Sequence, residues 1–467
     1  MQTTDSAKPL TSILAEFTSA LTFDQIPSTV IADTKLHVLD GIGVAIYGSQ
    51  LPWTRIVAET MVEQGGEPSA TIWGTGLRAT PSQAALVNAT AGHSFEMDDI
   101  HKESVLHPNS LSVPVALALA ESRPSIGGKD VLTALIAGTE LGARVGNAAT
   151  TALFLNGFHP QGTTGAFVAA GTAGRLLNLG PQAMLHAIGI AGSMGAGLMA
   201  AQEGAMVKRF HAGRAAESGL LAVSLAGKGF TGIENILEAD YGGFLSAFGR
   251  TYNIDRLLDG LGSDWESAKV GYKMYPNVTS IHTSLDALKQ LMHEHKLAAG
   301  DIERIDVGCG HMTYVHTAWP YAPSGVTAAQ MNLFYGLAVV AIRGDVTPYD
   351  YAEDTIADAD VLAFIPRIRP YEDKEIDDKG PAARHAVKMK VITKSGKELT
   401  HDIWSRRGSP ECPVSDEEVK KKFIANTRHV LAESIQNKIA DLVLNMDSMR
   451  SLSELTSLLG VKNNRAE

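Results

Sequence analysis

Within twelve residues, the run Glu96-Met97-Asp98-Asp99-Ile100-His101, continued by Glu103 and His107-Pro108-Asn109-Ser110, gathers four carboxylates and two imidazoles. A packed core has no use for so many ionisable groups, since burying each costs free energy unless it is paired. Proton transfer at carbon is the natural use of such a set, with one group accepting while another donates. A second cluster, Lys208, Arg209, His211 and Arg214, falls within seven residues flanked by Gly204 and Gly213. An ammonium or guanidinium there could clamp a substrate carboxylate and stabilise an enolate-like dianion, and glycine permits the ligand to come close. A third stretch, Gly157-Phe158-His159-Pro160-Gln161-Gly162-Thr163-Thr164-Gly165, opens a small-residue helix expected over 166–176. Amide donors at a helix start suit a carboxylate, and His159 there can titrate near neutrality. Finally, Lys273-Met274-Tyr275-Pro276-Asn277 is followed by His282, which taken alone is a weak candidate.

Two blander patterns are set aside. Glu96, Asp98, Asp99, His101 and His107 are metal-ligand types, but their spacing matches neither H-E-x-x-H nor another specific ligand pattern, so no metal is expected. Gly195-Ala196-Gly197-Leu198-Met199-Ala200 fits a loose dinucleotide fingerprint, yet no strand precedes it; close helix packing is the better account.

The elements that must position these groups are mainly helical. Ser/Thr-Pro punctuation and the apolar residues Ala85, Leu86 and Ala89 predict a helix from Pro81 to about Asp99, which would set Glu96 and Asp99 three apart on one face. From residue 10 to about 260, apolar residues recur at three-to-four spacing, as in Leu36, Leu39, Ile42, in Val131, Leu132, Leu135, Ile136, and in Leu220, Leu221, Leu225. Past Asp264-Trp265 the pattern changes. Ile302 to Met312 reads as a strand, and His385 to Ile403 as a hairpin turning at Ser395-Gly396, with Val387, Met389 and Val391 facing one way. Helices are expected over 279–295 and 326–342, and again after Ser415. The fold class is therefore mainly α: a large all-helical domain over 1–265, a smaller α+β domain over 266–410, and C-terminal helices over 411–467 that return to the first domain.

A chain of 467 residues, 45% hydrophobic and 19% charged, can bury large cores. Its formal charge of −11 argues against a nucleic-acid binder, which needs a concentrated basic surface. Two cysteines, Cys309 and Cys412, are too few for a disulfide framework or for an iron-sulfur cluster. No run of about 18 apolar residues suggests a membrane span. Met1-Gln2-Thr3-Thr4-Asp5 lacks the order of a secretory signal, so a cytoplasmic location is expected.

Taken in order, these segments resemble the MmgE/PrpD family over about residues 10–450. The resemblance is carried by Leu39-Asp40-Gly41-Ile42-Gly43, by 93–120, by Gly157-Phe158-His159, by Met199 through Arg209, by Tyr241-Gly242-Gly243-Phe244 and by Lys273-Met274-Tyr275-Pro276. The family implies a large helical domain, a smaller α+β lid domain, a homodimer, and an active site in the cleft between the domains. Its members include 2-methylcitrate dehydratase, cis-aconitate decarboxylase and an iminodisuccinate epimerase, and none is known for needing an organic cofactor. Carried over residue by residue, the family's acidic position falls on Glu96, its histidines on His107 and His159, its lysine on Lys208 and its lid histidine on His282. The lid tyrosine has two candidates, Tyr314 and Tyr321. Two departures stand out: asparagine follows Pro108 where glycine or serine is common, and Glu96 stands where the mammalian decarboxylases carry aspartate.

Dehydration, decarboxylation and epimerisation share one problem, the build-up of charge on a carbon next to a carboxylate. Lys208, with Arg209, would take up that charge; Lys273 and Tyr275 are further substrate-binding candidates. His159 and His107 would act as acid and base, Glu96 or Asp99 would orient a histidine, and His282 would complete the site on closure. The expectation is a cofactor-free lyase acting on a small polycarboxylate, with dehydration ahead of decarboxylation. An isomerase of an amino- or imino-dicarboxylate is the alternative.

Overall fold

Small residues decide how the helices pack. The computed structural model describes residues 8–460, and the N-terminal residues read above for a signal lie outside them. At the centre lies the helix Gly165–Leu176, clasped by Gly128–Leu155, Val207–Ala226 and Asn109–Ser122. A Cβ added to Gly142 would stand 3.0 Å from the Val168 amide nitrogen, and one on Gly219 would stand 2.5 Å from that of Ala170. At both crossings the helices lie so close that even a methyl group would clash, which suits a chain rich in glycine and alanine. Residues 10–260 are mainly helical, as the spacing predicts, with a short antiparallel pair, Ala70–Ile72 with Leu77–Ala79, at one side. No helix among the described residues is long and apolar enough to cross a membrane.

The helix expected from Pro81 to Asp99 stops early. Thr80 caps its first turn with Gln83, but it ends at Gly92, where a Cβ would stand 3.3 Å from that of Ser110. Ser94 then turns back to donate to the Thr90 carbonyl, and Glu96 adopts φ 55°, a left-handed conformation costly for a residue with a Cβ. Glu96 and Asp99 therefore share no helix face. The stretch 93–108 is instead a buried loop, tied down by Ile100–His101 pairing antiparallel with Val270–Gly271.

A four-stranded sheet carries the remainder, in the order Ile368–Glu372, Ile302–Cys309, Val387–Thr393, Glu398–Ile403. The hairpin matches expectation, with Val387, Met389 and Val391 buried on one face, while the strand expected over 302–312 ends at Cys309, where Gly310 opens the short helix His311–Thr317. Ile368–Glu372 was not foreseen. It pairs parallel at the edge of the sheet, and its Pro370 and polar neighbours disguise it as a loop. His282–His295 lies over this sheet and Leu333–Arg343 packs against that helix, with Leu285, Leu288, Leu337 and Val339 in one core with Ile305 and Val307. The chain then leaves the sheet. Ser415 and Glu418 form a reciprocal cap on Asp416–Thr427, which packs Phe423 against Gly43 and sets Lys422 Nζ 2.8 Å from Asp40. Cys309 and Cys412 are free thiols.

Candidate active site

Three elements deliver charge to one point. Lys208 and Arg209 lie in the first turn of Val207–Ala226, Lys273 follows the strand Val270–Gly271, and Glu96 protrudes from the buried loop. Glu96 pairs with Lys208, accepts from Arg209 Nη1 at 2.5 Å and from Lys273 Nζ at 3.1 Å. Burial opposes its ionisation, but Lys208, Lys273 and Arg209 outweigh that and hold the carboxyl well below its ordinary range. Burial pulls Lys208 the other way, down to about 8 despite Glu96, so it stays cationic at neutral pH with little to spare.

Around this charge cluster stand imidazoles. Asp98 accepts from His93 Nδ1 at 2.7 Å and lies 3.3 Å from His107 Nδ1 and 3.7 Å from Lys273. Burial works against its ionisation, and His107, His93 and Lys273 reverse the balance. His107 Nδ1 also stands 2.6 Å from the Asp99 carbonyl oxygen, which can only accept; Nδ1 therefore carries the hydrogen, and Nε2 of the neutral ring is a base. Burial, opposed by Asp98, lowers His107 to about 3 and keeps it neutral. His159, whose own value is pushed well down by burial, then by His93 and Lys208, places Nδ1 2.9 Å from His211 Nδ1.

Glu96, His107, His159, Lys208 and Lys273 line one cleft of about 860 Å³, open mouth included. Four other candidates lie behind its walls. Asp99 accepts from the Asn109 amide nitrogen at 3.3 Å and from Nδ2 at 2.6 Å, tying down the start of Asn109–Ser122; burial raises its carboxyl to about 8. Arg209, 2% exposed, spans from Glu96 to Gln330 Oε1 at 3.2 Å and so buttresses Glu96 from behind. Tyr275 donates to Asp286 at 2.5 Å, and its ring meets His282 edge-on at 5.3 Å. His282 is 1% exposed, with Nε2 3.2 Å from the Asn277 carbonyl oxygen. Tyr314 and Tyr321 also lie off the cleft, where His316 stands instead, 3.1 Å from Gln202. The sheet-bearing part adds Thr279, Ser280, Arg384 and His385 to the lining.

Sequence reasoning missed His93 and His316 altogether and gave Asp98 no role of its own beyond its place in the carboxylate run and among the metal-ligand types. The one available signal was the five-residue separation of His93 and Asp98, which carries no meaning until the helix is known to stop between them. Ligand atoms of His93, Asp98 and His107 fall within 4.8 Å of one another. Asp98 is already engaged by His93 and faces the Lys273 ammonium, a poor setting for a second cation. The cleft thus offers two ammonium groups, a neutral imidazole base and a second imidazole whose tautomer another ring controls. That set can grip carboxylates and move a proton at an adjacent carbon.

The MmgE/PrpD N-terminal domain matches residues 12–256 and the MmgE/PrpD C-terminal domain residues 275–448. Over 470 residues the chain is 31% identical to a cis-aconitate decarboxylase of Aspergillus terreus, covering 96% of each protein. It is 30% identical to a cis-aconitate decarboxylase-like protein of Aspergillus oryzae, over 98% of this chain and 99% of that one. With the human cis-aconitate decarboxylase it shares 27% identity over 97% of this chain and 95% of the relative. The chain belongs to the MmgE/PrpD family.

Proposed function

We propose that the chain is a cofactor-free lyase that decarboxylates a small unsaturated polycarboxylate of the cis-aconitate type. The observation that carries this reading is the convergence of Lys208 and Lys273 with His107 and His159 on one cleft. This reading puts decarboxylation ahead of the dehydration favoured by sequence reasoning, and the names of the full-length relatives support it.

Lys208 and Lys273 bind substrate carboxylates, and Glu96 holds both ammonium groups in place. When the bond to the departing carboxylate breaks, its electron pair stays on carbon and spreads toward a neighbouring carboxylate. Lys208 stabilises that charge. His159 protonates the carbon from its cleft-facing nitrogen. His107 is a base at Nε2, and in a dehydration it would remove the proton. Arg209 and Asp98 position these groups without meeting the substrate. A homodimer accompanies this reading through the family resemblance, and sedimentation of the purified protein checks it.

The test is incubation in D₂O with cis-aconitate, citrate, 2-methylcitrate and iminodisuccinate in turn, followed by NMR. Decarboxylation gives CO₂ and an unsaturated dicarboxylate bearing one deuterium. An unsaturated tricarboxylate formed without CO₂ would move the assignment to a dehydratase, and deuterium washed into recovered substrate would move it to an epimerase.

A further inference from the structure

The motif that contributes Lys208 also contributes an imidazole that the mechanism above leaves unused. His211 lies one helical turn beyond Lys208, and its Nδ1 is 2.9 Å from His159 Nδ1. Only one of two neutral rings can carry the hydrogen in such a contact, so the tautomer of each fixes that of the other. If His211 donates, His159 bears its hydrogen on Nε2, the nitrogen left to face the cleft. The rings meet where glycines make room: a Cβ on Gly197 would stand 3.2 Å from His211 Nδ1 and 3.4 Å from His159 Cβ, and one on Gly162 would stand 3.2 Å from His211 Cβ. His211 also lines a second, open pocket of about 1140 Å³, its open mouth included, bordered by Leu198, Phe210 and Arg214, and among the described residues it shares no lining with the cleft.

We propose that His211 is a positioning residue that passes His159 a proton from the solvent-open pocket it lines while substrate fills the cleft. The inference rests on the reading of His159 as the acid. In the step, the carbon–carboxylate bond breaks and CO₂ leaves. The His159 Nε2–H bond breaks as the new C–H bond forms, His159 Nδ1 takes the hydrogen of His211 Nδ1, and His211 Nε2 takes a proton from solvent water in the second pocket, leaving a hydroxide that the solvent carries away; the carboxylate's negative charge thus ends on hydroxide and its carbon leaves as neutral CO₂. Both rings are neutral before and after, having exchanged tautomers. Product release admits water to the cleft, which reverses both tautomers with no net change in protons. Such a relay suits a buried pair, because neither ring has to become an imidazolium; burial lowers His211 to about 4 and His159 well below its ordinary value.

Asparagine can reproduce the donor that His211 presents to His159, but it cannot pass a proton through. His211→Asn should therefore lower kcat about 10²-fold with KM within about threefold of wild type, and His211→Phe should do no better. In His211→Ala, added imidazole or 4-methylimidazole should restore turnover saturably by at least about tenfold, whereas 1-methylimidazole, lacking an N–H, should not. Thermal melting accompanies each variant, and where the asparagine form does not fold the alanine rescue series carries the test. His211→Asn turning over within about threefold of wild type, or equal rescue by 1-methylimidazole, would overturn the relay. A wild-type protein that decarboxylates none of the substrates would instead overturn the functional reading on which it rests.

Discussion

In the proposed mechanism Lys208 is the group on which the chemistry turns, and its depressed ammonium sets a pH limit. Because burial lowers it to about 8, kcat/KM should fall as pH rises through that value and the charge is lost. Lys208→Arg, which cannot deprotonate in this range, should remove that alkaline limb even at a lower plateau. A limb unchanged in the arginine variant would detach Lys208 from it. Asp99 behaves in the opposite sense. Its folded carboxyl titrates at about 8, against 3.8 for the free side chain, so the unfolded chain releases its proton first and the native state loses stability as pH rises between those values. Asp99→Asn keeps an oxygen for the Asn109 amide and should raise Tm over wild type by an amount that grows from about pH 4 to pH 8. A gain independent of pH would count against the buried, protonated carboxyl. At this scale the amino-acid order singled out Glu96, His107, His159 and Lys208, which the fold brings to one cleft, but not their pairing. Glu96 was expected to orient a histidine and instead meets three cations, while Asp98 does the orienting. Partners brought from 112 and 177 residues away leave no trace in local spacing.

Periodic stretches were legible because helices declare themselves at short range. Leu36, Leu39 and Ile42 fall in the helix Ser28–Gly48, and Leu220, Leu221 and Leu225 in Val207–Ala226, as their spacing predicts. Two kinds of element were hidden. The helix beginning at Pro81 stops at Gly92 because of what it packs against, Ser110 on a neighbouring helix, and not because of any residue that forbids continuation. The strand Ile368–Glu372 exists only because Ile302–Cys309 lies beside it. Helix contact through glycine makes a direct prediction. A Cβ on Gly142 would already press the Val168 backbone and side chain, so Gly142→Leu should destabilise the fold by about 2–3 kcal/mol in denaturant unfolding. A change below about 0.5 kcal/mol would mean that the two helices are free to separate.

Across the whole molecule, buried neutral histidines couple folding to acid. His93, His107, His159, His211, His282 and His316 all bind protons less readily folded than free, chiefly through burial. The unfolded chain therefore gains protons first as pH falls below about 6.5, and stability present above that value is lost progressively toward the folded values, about 3 for His107 and about 4 for His211 and His316. Tm should drop steeply between pH 6.5 and pH 4, and a flat profile would contradict the buried cluster. We also propose that the helices after residue 411 belong with the helical unit, since Lys422 reaches both Asp40 and, at 2.7 Å, the Met97 carbonyl oxygen beside Glu96. Lys422→Ala should cost about 3 kcal/mol by leaving Asp40 without its cation, and should reduce turnover through the displaced loop. The central claim is more direct than any of these: one cleft, with Lys208 and His159 in it, releases CO₂ from an aconitate-like acid. Its sharpest measurement is NMR of carboxyl-¹³C-labelled cis-aconitate incubated with the wild-type protein, Lys208→Ala and His159→Gln. The account predicts labelled CO₂ and bicarbonate from the wild type and about 10²-fold or greater loss in each variant at unchanged Tm; substrate left intact by the wild type, or variants within about twofold of it, would contradict the account.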